Sequence, residues 1–145
     1  MWCQVLARTT IPPVRVFLSY HHKDEAIAEQ IRKVLEREDF KVWDPKVQLL
    51  PGADWNKAVS SALKSAQAMI VLLSPDALDS PWLRREIDYA LGESRFEGRL
   101  IPVIVRAVPK IPWILDKLEV LDLRPDIKRG SRRIVRALKR KKSAA

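Results

Sequence analysis

Residues 68–87 read AMIVLLSPDALDSPWLRREI. The run Ala68–Leu73 is the longest apolar stretch of the chain, far too short to cross a membrane and of a length that suits a strand. It has no polar alternation, so it has no face to offer water. A strand of that kind sits at the centre of a parallel sheet covered on both sides. Ser74-Pro75 stops it. Ser80-Pro81 then opens a helix, because serine accepts from an unpaired N–H of the first turn and proline at the first helical position lacks the N–H that would go unpaired there.

The same alternation of strand and helix extends in both directions. Upstream, Val14–Ser19 reads as a first strand after Pro12-Pro13, and Asp24 as the cap of a helix with Ile27, Ile31, Val34 and Leu35 at helical spacing. Phe40–Trp43 is a second short strand. A loop, DPKVQLLPGAD, follows, punctuated by Pro45, Pro51 and Gly52. Asp54 caps the next helix, Trp55–Ser65, with Trp55, Val59 and Leu63 on one face. Downstream, the helix opened by Ser80 runs to about Glu93, Leu100–Val105 is a fourth strand, and Leu118–Leu123 a fifth, reached through VPKIPW. A last helix starts near Ile127. Strands and helices joined this closely predict an α/β fold of the flavodoxin-like, doubly wound class: a five-stranded parallel sheet with helices on both faces. The chain divides into an N-terminal extension (1–13), one domain (14–140) and the end of a basic tail (141–145), without repeats or an internal linker.

Composition agrees with one folded domain: 145 residues, 47% hydrophobic and 31% charged. The N-terminus has no apolar segment of signal-peptide length. The lone Cys3 excludes an internal disulfide framework and predicts a reducing, cytoplasmic setting without membrane attachment. The net charge of +9 is unevenly placed, since nine Lys or Arg and no acid follow residue 127, leaving 18 basic and 18 acidic residues before it. Ile127, Ile134, Val135 and Leu138 share one face of the last helix, with Lys128, Arg132, Arg133, Arg136 and Lys139 around the other. That pattern is either a packed helix with a solvated basic side or a contact for nucleic acid, an acidic partner or a following domain.

In doubly wound sheets ligands bind beyond the carboxyl ends of the strands. Ser19-Tyr20-His21, the loop after Trp43 and the segment after Leu73 all fall on that rim. Several chemistries lack their parts there. The four glycines, at 52, 92, 98 and 130, form neither a dinucleotide-binding nor a phosphate-cradling loop. No G-x-S-x-G elbow exists. His21 and His22 are adjacent, which at a strand end points them apart, and no third histidine completes a metal site. The strand ends LSYHH and LLSPD lack the acidic cluster of a phosphoacceptor.

Glu86 stands out. Its helical neighbours are Trp82, Leu83, Tyr89 and Ala90, none of them cationic, whereas Asp88 has Arg84 and Arg85 within one turn and reads as a solvated, paired acid. A carboxylate so placed either meets a tertiary cation or is kept for use in a cleft.

Four segments, in order and spacing, resemble the Toll/interleukin-1 receptor (TIR) domain over residues 14 to about 140. VFLSYHHKD resembles the family's first box, DPKVQLLPGADW its BB loop, LLSPDALDSPWLRREI the third-strand segment with W-x-x-x-E, and IPVIV the fourth strand. The likeness is greatest to bacterial, NAD-cleaving TIR domains. It implies an NAD glycohydrolase or cyclase with Glu86 as catalytic residue, releasing nicotinamide and ADP-ribose or a cyclic isomer, with NAD as substrate and no cofactor or metal. By the same resemblance Tyr20, His21, Asp44, Trp55 and Trp82 contact substrate, while Ser19 only turns the strand end. Leu49, Leu50, Pro51 and Gly52 of the BB loop pack one TIR domain on another, so homo-oligomers or filaments, and turnover that rises with clustering, are expected in immune or antiphage signalling. The alternative from the same family is a non-catalytic TIR–TIR interaction module.

Overall fold

The computed structural model of the chain describes residues 14–44 and 54–144. The N-terminal extension and the loop positions Leu49, Leu50, Pro51 and Gly52 lie outside the described residues, as does the side chain of Trp55. In chain order the elements are β1 (Arg15–Ser19), α1 (Glu25–Arg37), β2 (Lys41–Trp43), α2 (Trp55–Ser65), β3 (Ala68–Leu73), α3 (Pro75–Leu78), α4 (Pro81–Leu91), β4 (Leu100–Ile104), α5 (Trp113–Asp116), β5 (Leu121–Asp122) and α6 (Ile127–Ala144). The strands are all parallel, in the order β2-β1-β3-β4-β5.

β3 is the central strand, and every one of its residues is buried. Its side chains divide by the two-residue period of a pleated strand. Ile70 and Leu72 join Val16, Leu18, Ile101 and Val103 beneath α1 and α6, which add Ile31, Leu35, Ile134 and Leu138. Met69, Val71 and Leu73 join Phe17 and Leu100 on the opposite face beneath α2 and α4, which add Val59, Leu63, Leu83 and Ala90. The sheet is thus covered on both faces, and a one-residue slip of β3 would carry each layer's side chains into the other layer.

Local chemistry sets the boundaries. Asp54 caps α2 by accepting from the Lys57 N–H at 3.2 Å, and Ser80 caps α4 by accepting from Leu83 at 3.3 Å, with Pro81 at the first position. α1 ends at Arg37, and the chain leaves it through Asp39, whose φ of 67° places it in the left-handed region, with the Phe40 N–H turned back to the Leu35 carbonyl at 3.1 Å.

The structure corrects the sequence reading in several places. The fifth strand is Leu121–Asp122, not Leu118–Leu123, because the Leu118 N–H closes a turn onto the Leu115 carbonyl at 3.0 Å. SPDAL does not merely stop β3: Ser74 caps the short helix α3. α4 ends at Leu91, where Gly92 N–H bonds back to the last turn. Asp24 precedes α1 yet makes no capping bond with its side chain, because that carboxylate is turned inward to other partners.

Candidate active site

The carboxyl end of β1 with the turn after it, the first residue of α1 and the start of α4 line a cavity of about 330 Å³. Its walls come from Leu18–His22, Glu25, Ser80, Trp82, Leu83 and Glu86. Two of the chemistry-bearing segments, LSYHH and SPWLRRE, meet here because β1 lies beside β3 in the sheet.

Glu86 is only 6% exposed, in the wall of this cavity. The Ser19 hydroxyl donates to its Oε1 at 2.6 Å, and the Trp82 side chain, one helical turn away, is hydrogen-bonded to the same carboxyl. Among the described residues no ion pair involves Glu86. Burial disfavours the charged form and pushes its pKa up to about 7, although both hydrogen bonds pull the other way. The carboxylate therefore meets a hydroxyl and an indole in place of a tertiary cation. Asp88 is exposed as expected but unpaired among the described residues, since the Arg84 guanidinium donates to the Leu78 carbonyl at 3.1 Å instead.

Tyr20 also lines the cavity, and its hydroxyl donates to Asp44 Oδ1 at 2.5 Å. Asp44 is buried behind it and is not one of the wall residues; its Oδ2 lies 3.7 Å from Arg32 Nε. Burial, then the Asp44 hydrogen bond and charge, push the Tyr20 hydroxyl above its ordinary range and keep it a donor. Asp44, for which the resemblance implies substrate contact, thus accepts from the hydroxyl of a cavity-lining residue.

His21 and His22 do not point apart. His21 caps and His22 opens the 3₁₀ turn His22–Asp24 after β1, and their rings lie 4.2 Å apart, centroid to centroid. His21 Nδ1 accepts from the Lys23 N–H at 3.2 Å, so in the neutral ring Nε2 carries the proton. Among the described residues no cluster of three or more His, Cys, Asp or Glu side chains could hold a metal.

The turn that carries these wall residues is tied down by a group that sequence reasoning missed. Asp24, 1% exposed, accepts from the Ser74 hydroxyl at 2.5 Å and from Arg106 Nε at 2.7 Å. The same guanidinium reaches Asp76 at 2.7 Å. The ends of β3 and β4 thereby hold the loop after β1. The partners are 50 and 82 residues from Asp24, and nothing local in the sequence pairs them.

A family model of the TIR domain matches residues 16–138, and the chain belongs to that family. It is 28% identical over 97 residues to the NAD(+) hydrolase PdTIR of Paracoccus denitrificans, a match covering 66% of this chain and 32% of that protein. It is 26% identical over 110 residues to human Toll-like receptor 6, covering 72% of this chain and 14% of the receptor. The chain thus spans about a third or less of these curated relatives. Among solved structures, a metazoan TIR-STING receptor from C. gigas in complex with 2′,3′-cGAMP superposes with a TM-score of 0.74 at 27% identity, over 88% of this chain and 40% of that one. Among the described residues no helix is long and apolar enough to cross a membrane.

Proposed function

We propose that this TIR domain cleaves the bond between nicotinamide and ribose in NAD, with Glu86 as the catalytic carboxylate. The observation that carries the reading is a single buried carboxyl in a cavity wall, held by Ser19 and Trp82, with no cation to neutralise it among the described residues. Similarity to a bacterial NAD(+) hydrolase supports it.

The chemistry suits one carboxylate. As the bond between C1′ and the pyridinium nitrogen breaks, its electrons pass to nitrogen, so nicotinamide leaves neutral and needs no acid. Positive charge grows on C1′ and the ring oxygen, as in glycoside hydrolysis. Ionised Glu86, only 6% exposed, stabilises that charge more than a carboxylate in bulk solvent could. Water then adds to C1′ and gives up its proton, yielding ADP-ribose; capture by a nucleophilic atom of the same molecule yields a cyclic product. Trp82 and Tyr20 supply aromatic walls for the ring. A cavity of about 330 Å³ suits the nicotinamide riboside half of the dinucleotide, and the rest of the substrate extends beyond it.

The test is nicotinamide release from NAD by concentrated or artificially clustered protein, repeated with Glu86→Ala. Release that rises more steeply than protein concentration and disappears in the variant is expected. Release untouched by Glu86→Ala removes the residue assignment. Absence of release under every clustering condition favours the second reading, a TIR–TIR interaction module, for which the similarity to Toll-like receptor 6 speaks.

A further inference from the structure

α6 carries a basic face opposite the one it buries. Its described cations are Lys128, Arg129, Arg132, Arg133, Arg136, Lys139 and Arg140, and all of them are exposed. At 100° per residue they fall within an arc of about 140°, and along the axis they extend about 18 Å. The opposite face, with Ile134, Val135, Ala137 and Leu138, is already buried against the sheet. The stripe is therefore rigidly mounted.

Few of these charges are neutralised. Lys139 pairs with Glu38 and Arg140 with Glu119, each at 2.8 Å, and Arg133 donates to the Asp122 carbonyl at 3.2 Å. The side chains of Lys128, Arg129, Arg132 and Arg136 make no ion pair among the described residues. All 18 Asp and Glu of the sequence lie within the described residues. Arg133, Arg136, Lys139 and Arg140 also line an open groove of about 680 Å³, with Glu119 and Leu121 completing it.

From this geometry we infer that α6 is a docking surface for the phosphate backbone of nucleic acid. Five of the seven described cations are arginine, whose planar fork matches phosphate oxygens in pairs. An acidic protein partner would need apolar anchors among the charges. Among the described residues, the large apolar side chains that stand exposed, Trp113 and Ile114, belong to α5. An anionic membrane would need the apolar face of the helix to insert, and that face is spent in the core. The surface is also remote from the candidate active site. Glu38, beside Lys139, follows the last turn of α1, whereas Glu25, in the cavity wall, begins it, a separation of roughly 20 Å along that helix. One nucleic-acid strand can gather several copies with their cavities free.

Fluorescence anisotropy with a labelled duplex of about 20 base pairs, titrated at several salt concentrations, tests the inference. The four unpaired cations predict a slope of log affinity on log salt of about −3.6, so binding weakens roughly a hundredfold between about 50 and 200 mM salt. Arg132→Glu with Arg136→Glu should weaken binding at least tenfold and reduce the slope by about two. Lys57→Glu with Lys64→Glu, the same change in net charge on exposed positions of α2, should leave both within about twofold. Absence of binding at low salt, equal losses in the two variants, or equal affinity for polyglutamate or phosphatidylserine vesicles would each overturn it. Because binding is read without NAD, the result is independent of whether the domain cleaves NAD.

Discussion

The Ser19 hydroxyl donates to Glu86 Oε1 at 2.6 Å, joining the end of β1 to the first turns of α4 across 67 residues of sequence. A serine that sequence reading assigned to turning a strand end is the group that orients the buried carboxyl. Its hydrogen bond favours the ionised form, against the burial that raises the pKa to about 7. If ionised Glu86 is the active species, kcat/KM rises with pH through about 7 in the native protein. Ser19→Ala moves that midpoint upward by about one pH unit. A pH profile of nicotinamide release checks both; an unmoved midpoint would show that Ser19 does not act through Glu86.

Glu86→Gln separates function from stability. The folded protein holds the Glu86 proton more tightly than the unfolded chain, with a pKa of about 7 against 4.5. Stability contributed by the neutral form is therefore complete below the unfolded pKa and is lost as pH rises through the folded one. The loss above pH 7 is on the order of 3 kcal/mol. Glutamine carries no charge, so the variant should melt several degrees above the native protein at pH 8 and within a degree or two of it at pH 4, while losing turnover. Thermal melts at the two pH values decide it.

Arg106 holds Asp24 from the end of β4. Arg106→Gln removes a cation from a carboxylate that is 1% exposed and leaves the Ser74 hydroxyl as its side-chain donor among the described residues. The expected cost is about 3 kcal/mol. Hydrogen exchange should quicken at the amides of residues 21–25, the turn that walls the cavity, while amides of β3 change less. Uniform loosening of the whole sheet would contradict a local tether.

Tyr20→Phe removes the donor to Asp44 from a part-buried site and should destabilise the domain by about 1–3 kcal/mol. Since Tyr20 lines the cavity, KM for NAD should rise more than kcat falls. Asp44→Asn, which retains an acceptor for the Tyr20 hydroxyl, should be milder in KM. Steady-state kinetics of the two variants side by side test whether Asp44 acts by holding Tyr20.

Gly130 sits where α6 crosses the end of β5, and a methyl group there would collide with Leu123 Cγ. Gly130→Ala has better helix propensity yet should lower stability by about 2 kcal/mol, because a helix packed across its length cannot back away. Denaturant melts of Gly130→Ala, and of Gly130→Ala combined with Leu123→Ala, test the collision; recovery in the double variant is expected.

Much of the architecture was legible because it depends on interactions within a few residues. The unbroken apolar run Ala68–Leu73 required burial on both faces, and it forms the central strand. Asp54 and Ser80-Pro81 announced helix starts because capping is a contact between neighbours. The weak elements failed for the converse reason. β5 is two residues long and held by its pairing to β4, while the capping preference of Asp24 was overridden by Ser74 and Arg106.

The candidate site divides along the same line. Helical spacing alone established that Glu86 has no cation within a turn, and its relation to Trp82 is a property of one helix. What the carboxyl meets on its other side depends on β1 lying next to β3, a choice of strand order that no local pattern encodes. The sequence by itself determined which residues carry chemistry and the class of sheet that displays them. Tertiary structure decided their partners: Ser19 with Glu86, Tyr20 with Asp44, Ser74 and Arg106 with Asp24. Caps and strand periods arise from sterics and hydrogen bonds within one element. Buried polar groups, by contrast, must be satisfied by whatever the packed sheet brings within reach.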